Sequence, residues 1–452
     1  MGAIAPREIA LDVLMYLEKD EKALCHIILR QTLDKYDYLK KEDKAFIQIL
    51  TEGTIERKLT LDYALNQFSK TDTQHMKPFI RSLLRMSTYQ ILYMDKVPDS
   101  AAIDEAVKSC KKHSFQNLSG FVNGVLRSLS AGKDTIKWPD RNNPQYLSVT
   151  YSVPQELCHK FSLWHGKKES EQMLKASLVK QVVLRVPKAH EAEFLTKNGT
   201  YVERHPYADH AYVLKQDVSL RDLTGFSEGL FTVQDISSIL AVNAAGIQNG
   251  DTVMDCCAAP GGKSCYALEL AGEGCVYSFD ISENKLPLIE QGAVRLHLDG
   301  SRLKIGAMDA SVFDPTFSER MDVVIADLPC SGLGVLSKKS DIKYHCTEDS
   351  MASLVTIQKA ILDNVARYVK KGGTLLFSTC TVNPEENVKQ FEAFLEAHPA
   401  FRACDLSPYI SEGLKASLTE RDALSIKEGY LQLRQGIYQS DGFFISKCER
   451  VQ

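Results

Sequence analysis

The sequence predicts a multidomain protein in which an all-α region is followed by a small α+β module and then by an α/β domain. Apolar residues recur at helical spacing through residues 1–130, and strand-like alternation is nearly absent there. A linker rich in Gly, Lys, Asp, Asn and Pro covers residues 131–145. From residue 231, short apolar segments ending in Asp or Cys alternate with helical segments, which predicts a parallel, doubly wound sheet. We therefore expect three domains, at 1–140, 141–230 and 231–452.

The N-terminal helices are predicted from the spacing of apolar side chains. Ile9, Val13 and Leu17 share one helical face, and Pro78 stands at the start of a second helix with an apolar face. A further helix is predicted over Phe121–Leu129. Together these segments indicate a compact helical domain.

The two following regions mix helices with short strands. Helices at 154–164 and 167–176 are followed by strands at Val182–Val186 and Ala211–Leu214, which indicates a small α+β module. The strands predicted for the C-terminal domain are Thr252–Asp255, Cys275–Asp280, Leu303–Ala307, Asp322–Asp327 and Thr374–Thr379.

Composition excludes several classes of protein. The chain has 452 residues, of which 44% are hydrophobic and 25% charged, as in globular proteins with two or three domains. No apolar run approaches the roughly 18 residues of a membrane span, so no membrane association is expected. The 12 cysteines are scattered and form no CxxC pair, which argues against a disulfide scaffold or a metal site and favours a cytoplasmic location.

Charge is distributed unevenly along the chain. The net charge is −4, but residues 1–230 hold 33 Lys and Arg against 29 Asp and Glu, a balance of +4. Residues 231–452 hold 21 against 29, a balance of −8. A polyanion would therefore bind through local patches and the first half of the chain.

A glycine-containing loop joins the first strand of the α/β domain to the next helix. It runs from Asp255 to Lys263 and reads Asp-Cys-Cys-Ala-Ala-Pro-Gly-Gly-Lys. A Walker A loop is excluded because Cys257 stands where its first glycine is needed, and no GxGxxG fingerprint is present. Asp280 and Asp309 follow the next two strands. Acidic strand ends around such a loop suit a neutral nucleoside joined to a cation better than a polyphosphate.

Two cysteines follow the last two predicted parallel strands. Cys330 lies in Asp327-Leu328-Pro329-Cys330, and Cys380 follows Thr379 directly. Because neighbouring parallel strands end at one edge of the sheet, both thiols are expected in one crevice. A single buried cysteine is usually inert, but two at adjacent strand ends favour nucleophilic chemistry.

These motifs resemble those of the RNA cytosine-C5 methyltransferases of the NOL/NOP/Sun type. The resemblance implies a Rossmann-like class I methyltransferase domain that uses S-adenosylmethionine. It further implies that Asp280 holds the ribose, that Asp309 lies beside the adenine, and that Asp327 also borders the cofactor site. The loop residues expected to surround the methionine and adenosine are Cys257, Ala258, Ala259, Pro260, Gly261, Gly262 and Lys263.

The resemblance also assigns the catalytic roles. Cys380 is expected to be the nucleophile that adds to cytosine C6, and Cys330 to assist loss of the C5 proton and product release. Asp327 is expected to bind the N3 and N4 edge of the base. DNA cytosine methyltransferases place their nucleophile in a Pro-Cys motif like that of Cys330, so the additional Thr-Cys motif favours RNA as the substrate. Within these catalytic motifs the sequence departs from the family pattern at Leu328, Leu333 and Thr381, none of which removes a reacting group, and the usual arginines and proline of the family are replaced in the segment from Ser337 to Tyr344.

Flanking segments add RNA-contact hypotheses. The segment from Ser337 to Tyr344 resembles a substrate-facing motif of the family, in which Lys338, Lys339 and Lys343 would meet phosphates and Tyr344 would pack near a flipped base. A solvated loop is the alternative. The C-terminal strand pair is expected to bury its two phenylalanines rather than to stack them on bases.

The N-terminal region resembles NusB-like RNA-binding domains over residues 81–127, and the module at 141–230 is expected to be RRM-like. This domain combination implies a cytidine in unassembled or early-assembly 16S rRNA as the substrate. Methylation of tRNA is one alternative, and a non-catalytic NusB-like RNA-binding or antitermination factor is another. No feature implies an oligomer, so a monomer is expected.

Overall fold

The computed structural model describes residues 5–20 and 22–452, and the chain divides into two compact units. The helical unit comprises the chain up to Leu178 together with the segment Leu336–Cys346. The catalytic unit comprises Val179–Val335 and Thr347–Gln452.

The helical unit is built from helices that pack around one apolar core. Pro6 and Pro78 each occupy the first turn of a helix, where a missing N–H costs nothing. Leu83 and Leu126 are fully buried in the core. The all-α prediction is confirmed. The helices are α1 Pro6–Lys19, α2 Cys25–Lys35, α3 Lys41–Glu56, α4 Lys58–Phe68, α5 Pro78–Tyr93, α6 Asp99–Lys112, α7 Ser119–Gly132, α8 Tyr146–Tyr151 and α9 Gln155–Ala176.

Helices α8 and α9 belong to this unit, although the sequence placed them in the second domain. The reason is that α8 packs on α4: the Thr60 hydroxyl donates to the Val149 carbonyl at 2.6 Å, and the Leu59 amide donates to Ser152 Oγ at 2.9 Å. The two helices predicted at 154–176 form one element that is broken at Gly166, whose φ of 77° lies outside the helical region.

The small α+β module forms a separate antiparallel sheet in the order β2-β3-β1-β4. Leu184, Phe194, Tyr212 and Phe231 make its buried core. Its elements are β1 Val183–Arg185, α10 Glu191–Asn198, β2 Val202–Arg204, β3 Ala211–Leu214 and β4 Thr232–Val233.

The large sheet has the order β10-β12-β9-β8-β5-β6-β7, and β11 pairs with β12. Pairs β5–β6, β6–β7, β5–β8 and β8–β9 are parallel, which confirms the predicted doubly wound sheet. The strand order reverses between β5 and β8, so the loops that follow these strands diverge and leave a crevice at their carboxyl ends. The strands are β5 Thr252–Asp255, β6 Cys275–Asp280, β7 Leu303–Ala307, β8 Met321–Asp327, β9 Val369–Thr379, β10 Phe401–Ala403, β11 Tyr430–Leu433 and β12 Phe443–Arg450.

The remaining helices belong to the catalytic unit with this sheet. At its C-terminal end, Phe443 and Phe444 are 3% and 0% exposed, so both pack in the sheet as predicted. No helix of the described chain is long and apolar enough to cross a membrane. The helices are α11 Ile236–Ala245, α12 Gly262–Ala271, α13 Leu286–Arg295, α14 Glu348–Val365, α15 Val388–Ala397, α16 Glu412–Lys415 and α17 Glu420–Ser425.

Candidate active site

The glycine loop between β5 and α12 is held in a fixed shape by its own backbone. The amide of Ala258 donates to the carbonyl of Phe279 at 2.8 Å, which ties the loop to β6. Gly261 has a φ of 102°, and a Cβ there would come within 2.9 Å of the Ile289 Cα. A side chain at this position is therefore excluded both by the positive φ and by the contact with Ile289. Without a side chain there, the N-terminus of α12 can approach a ligand closely.

Two of the predicted acidic residues lie at the carboxyl ends of β6 and β7. Asp280 is 8% exposed, and one carboxylate oxygen accepts from the amide of Ala259 at 3.1 Å while the other accepts from Ser282 at 2.9 Å. Asp309 is exposed, and its carboxylate accepts from the amide and hydroxyl of Ser311, which lowers its pKa. Both carboxylates retain further acceptor lone pairs for hydroxyl or amine donors.

Lys263, the last residue of the loop motif, forms an ion pair with Asp327 at the end of β8. Its Nζ lies 2.6 Å from Asp327 Oδ2, and Asp327 Oδ1 accepts from the Ser378 hydroxyl at 2.8 Å. Burial alone would lower the pKa of Lys263, but the carboxylate of Asp327 outweighs it and raises that pKa. Lys263 is therefore a fixed cation, and Asp327 is a fixed carboxylate at the crevice.

The two predicted cysteines are brought together at the ends of β8 and β9. Cys330 Sγ and Cys380 Sγ lie 3.2 Å apart, both are partly exposed, and neither forms a disulfide. The hydrogen bond with Cys380, together with burial, raises the pKa of Cys330 well above its ordinary value. The charge on Lys263 interacts with that on Cys380, so the ion pair and the thiols share one site.

One buried carboxylate in this region was missed in the sequence. Glu386 is fully buried, and it accepts from the amide of Ser331 at 2.8 Å and from the side-chain amide of Asn383 at 2.9 Å. The polar run from Asn383 to Asn387, directly after a buried strand, was the available signal. The position of Glu386 beside the thiols could not be predicted, because its hydrogen-bond partner Ser331 is remote in sequence.

The structure places Lys343 and Tyr344, both predicted to contact RNA, against residues of the helical unit. Lys343 is 2% exposed, and its Nζ donates to the carbonyl of Glu56 at 2.8 Å. The Tyr344 hydroxyl lies 3.1 Å from the carbonyl oxygens of Ile55 and Ser152. Lys343 is buried and Tyr344 is half-buried within the helical unit, because their segment, 336–346, belongs to that unit.

Lys338 and Lys339 belong to the same segment and are exposed. Their predicted contact with phosphates therefore stays a prediction.

The burial of Lys343 predicts a measurable pH dependence of stability. Burial lowers the pKa of Lys343 from 10.5 to about 7. Between these values the unfolded chain binds a proton that the folded chain does not, so the free energy of unfolding rises with pH, by at most about 1.4 kcal/mol per pH unit. Below about pH 7, the contribution of Lys343 to the free energy of unfolding no longer changes with pH. We expect Lys343→Met to remove the rise, as measured by urea unfolding followed by circular dichroism at pH 7 and pH 9.

Lys339→Met provides the matched control, since it removes an exposed lysine from the same segment. This variant should keep the rise. A Lys343→Met chain whose stability increases with pH in parallel with the parent would contradict the prediction.

A doubly wound sheet with this glycine loop, these acidic strand ends and a separate helical unit defines the chain as a methyltransferase-type enzyme. Residues 242–449 match the family described as 16S rRNA methyltransferase RsmB/F, and residues 4–131 match the NusB family. The chain is 36% identical, over the full length of both proteins, to a probable ribosomal RNA small subunit methyltransferase B of Bacillus subtilis. A protein of the same name from Synechocystis is 30% identical over 88% of this chain and 89% of its own. The chain therefore belongs to the 16S rRNA methyltransferase RsmB/F family.

Solved structures show the same fold. The crystal structure of PH0851 superposes with a TM-score of 0.77 at 21% identity and covers 99% of each chain. That of NSun6 from Pyrococcus horikoshii with SFG has a TM-score of 0.55 at 18% identity, and covers 66% of this chain and 98% of its own. The second likeness is partial, whereas the first extends over both units.

Proposed function

We propose that this enzyme transfers a methyl group from S-adenosylmethionine to C5 of a cytidine in 16S rRNA through a covalent adduct with Cys380. The observation that carries the proposal is the pair of thiols 3.2 Å apart at the crevice of the sheet, beside the ion pair of Lys263 and Asp327. This arrangement supplies a nucleophile, a second proton-carrying thiol and a fixed carboxylate.

The residues at the crevice fit S-adenosylmethionine. The loop from Cys257 to Gly262 offers backbone groups without bulky side chains, and the carboxylates of Asp280 and Asp309 would accept hydrogen bonds from ribose hydroxyls and from the adenine amine. When bound, the cofactor supplies an electrophilic methyl group on a sulfonium centre, which C5 of the base accepts. The solved NSun6 of Pyrococcus horikoshii contains SFG, an analogue of this cofactor.

Cys380 is the proposed nucleophile because only a thiolate adds readily to C6 of cytosine, and the addition makes C5 electron-rich. The Lys263 ammonium interacts favourably with negative charge on the Cys380 sulfur. The raised pKa of Cys330 keeps the proton on this thiol in the resting pair. Once Cys330 has released that proton to solvent, its sulfur can accept the proton that C5 loses.

Asp327 is the proposed base-binding carboxylate. Lys263 and Ser378 fix its two oxygens, so it does not need to reorganise when a base enters. An ionised carboxylate accepts from the N4 amine of cytosine, and it stabilises the N3 proton that the C6 adduct carries. Uracil presents a carbonyl at that edge instead, so this carboxylate favours cytosine.

The substrate is assigned from the relatives and the helical unit together. The Bacillus and Synechocystis relatives are named as methyltransferases of small-subunit ribosomal RNA, and the helical unit matches the NusB family. The site residues alone would serve a cytidine in tRNA equally well, so the choice of RNA rests on these two likenesses.

The decisive experiment supplies the purified chain with tritiated S-adenosylmethionine and either protein-free 16S rRNA or bulk tRNA. We expect label in 16S rRNA, with bisulfite sequencing locating one protected cytidine that is unprotected in RNA from a strain lacking the gene. Label that appears only in tRNA, or at a position other than C5, would contradict the proposal.

A further inference from the structure

A buried carboxylate links the two loops that carry the thiols. Glu386 Oε2 accepts from the amide of Ser331 at 2.8 Å, and Oε1 accepts from the Ser331 hydroxyl at 2.5 Å. The same hydroxyl lies 2.7 Å from Thr381 Oγ1. Ser331 directly follows Cys330, and Thr381 directly follows Cys380. The network therefore fixes the spacing of the two cysteine backbones.

The network is secured further by α14 and by the start of the following loop. Gln358 on α14 donates to the carbonyl of Pro329 at 2.9 Å and to Glu386 Oε2 at 3.2 Å. Asn383 donates to Glu386 Oε1 at 2.9 Å. A carboxylate this deeply buried is costly unless its acceptor sites are used, and here several donors converge on it.

Charge is distributed asymmetrically around the thiols. Lys263 on α12, paired with Asp327 at the end of β8, interacts with Cys380. The hydrogen bond with Cys380 and burial raise the pKa of Cys330, and the negative charge of Glu386, from the loop after β9, adds to that rise. The negative charge of Asp255, at the end of β5, also raises the pKa of Lys263.

We propose that Glu386 is a positioning residue, which holds the two thiols in contact and keeps the shared proton on Cys330 so that Cys380 is the thiolate. This inference rests on the proposed function. The pair is then a thiol–thiolate hydrogen bond in which Cys330 S–H donates to the Cys380 sulfur. The proton lost when Cys380 ionises passes to solvent, and no other bond changes.

The test is site-resolved alkylation of the full chain with iodoacetamide across a pH series, read by mass spectrometry of the two cysteine peptides. In the parent chain we expect Cys380 to react at lower pH than Cys330. In Glu386→Gln, which keeps the shape of the side chain and loses its charge, the ratio of Cys380 to Cys330 alkylation should fall about tenfold, the effect of one pKa unit. kcat should fall while the KM for S-adenosylmethionine stays unchanged.

Glu385→Gln is the matched control, since Glu385 is the adjacent residue and pairs with Lys389 on the surface. It should leave the alkylation ratio and kcat unchanged. Glu386→Asp keeps the charge and should restore most of the ratio, which a purely structural role would not predict.

Two outcomes overturn the inference. One is a parent chain in which Cys330 reacts at lower pH than Cys380, a measurement that needs no variant to fold. The other is a folded Glu386→Gln variant whose ratio equals that of Glu385→Gln. Either result leaves the proposed function standing, because that proposal is tested separately, by which RNA and which atom receive the methyl group and by the need for Cys380.

Discussion

Replacing Cys380 with alanine is expected to abolish methyl transfer, lowering kcat by at least about 10³-fold, the scale on which removal of a covalent nucleophile acts. Alanine cannot bond to C6, so C5 stays too weak a nucleophile to accept a methyl group. Binding of S-adenosylmethionine should be unchanged, since the glycine loop and Asp280 are intact. Transfer of tritium to 16S rRNA measures the first quantity, and calorimetry measures the second.

Cys404→Ala is the control for this experiment, because Cys404 is another partly exposed free thiol of the catalytic unit. It should retain full activity. A Cys380→Ala chain that methylates at a substantial fraction of the parent rate would remove the covalent mechanism altogether.

Replacing Cys330 with alanine is expected to trap the covalent protein–RNA complex. The Cys380–C6 bond can still form, but loss of the C5 proton and departure of the thiolate lack the second thiol, which lies 3.2 Å from the first in the parent chain. Incubation with S-adenosylmethionine and labelled 16S rRNA should give a retarded band on a denaturing gel, with turnover reduced by about 10²-fold or more.

The double variant Cys330→Ala/Cys380→Ala should show no such band, which establishes that the adduct forms through Cys380. If Cys380→Ala instead gave the trapped complex and Cys330→Ala did not, the roles of the two thiols would be reversed. The site would then follow the arrangement of the DNA cytosine methyltransferases.

The catalytic unit was largely predictable because its determinants are local in sequence. Short apolar strands ending in Asp255, Asp280 and Asp327 fix the sheet and the crevice. Of the five parallel strands predicted for this sheet, four lie within about a residue of their predicted bounds and β9 begins earlier, whereas β10 was not predicted. The loop glycines and both cysteines stand at strand ends, and strand ends of a parallel sheet converge. The proximity of the thiols therefore follows from topology alone.

What the sequence did not reveal depends on contacts between remote residues. The burial of Lys343 could not be predicted, because its loop is polar and its partner, the carbonyl of Glu56, is remote in sequence. The role of Glu386 was hidden for the same reason, since its partner Ser331 is far away in sequence. The helices at 146–176 were assigned to the second domain because the polar linker before them resembles a domain boundary. In the structure the chain after this linker packs on the helical unit.

The segment Leu336–Cys346 leaves the thiol-bearing loop of β8 and is folded into the helical unit before the chain returns to α14. Its Asp341 accepts from the backbone amide of Cys25 at 2.5 Å, so even α2 is capped by residues from the other half of the sequence. Cutting the chain after Leu178 would therefore place Lys343 and Tyr344 on one fragment and the residues of the helical unit that they contact on the other. The helical unit is therefore formed by two separate stretches of the chain, and the half of the sequence that ends at Leu178 does not contain all the residues of that unit.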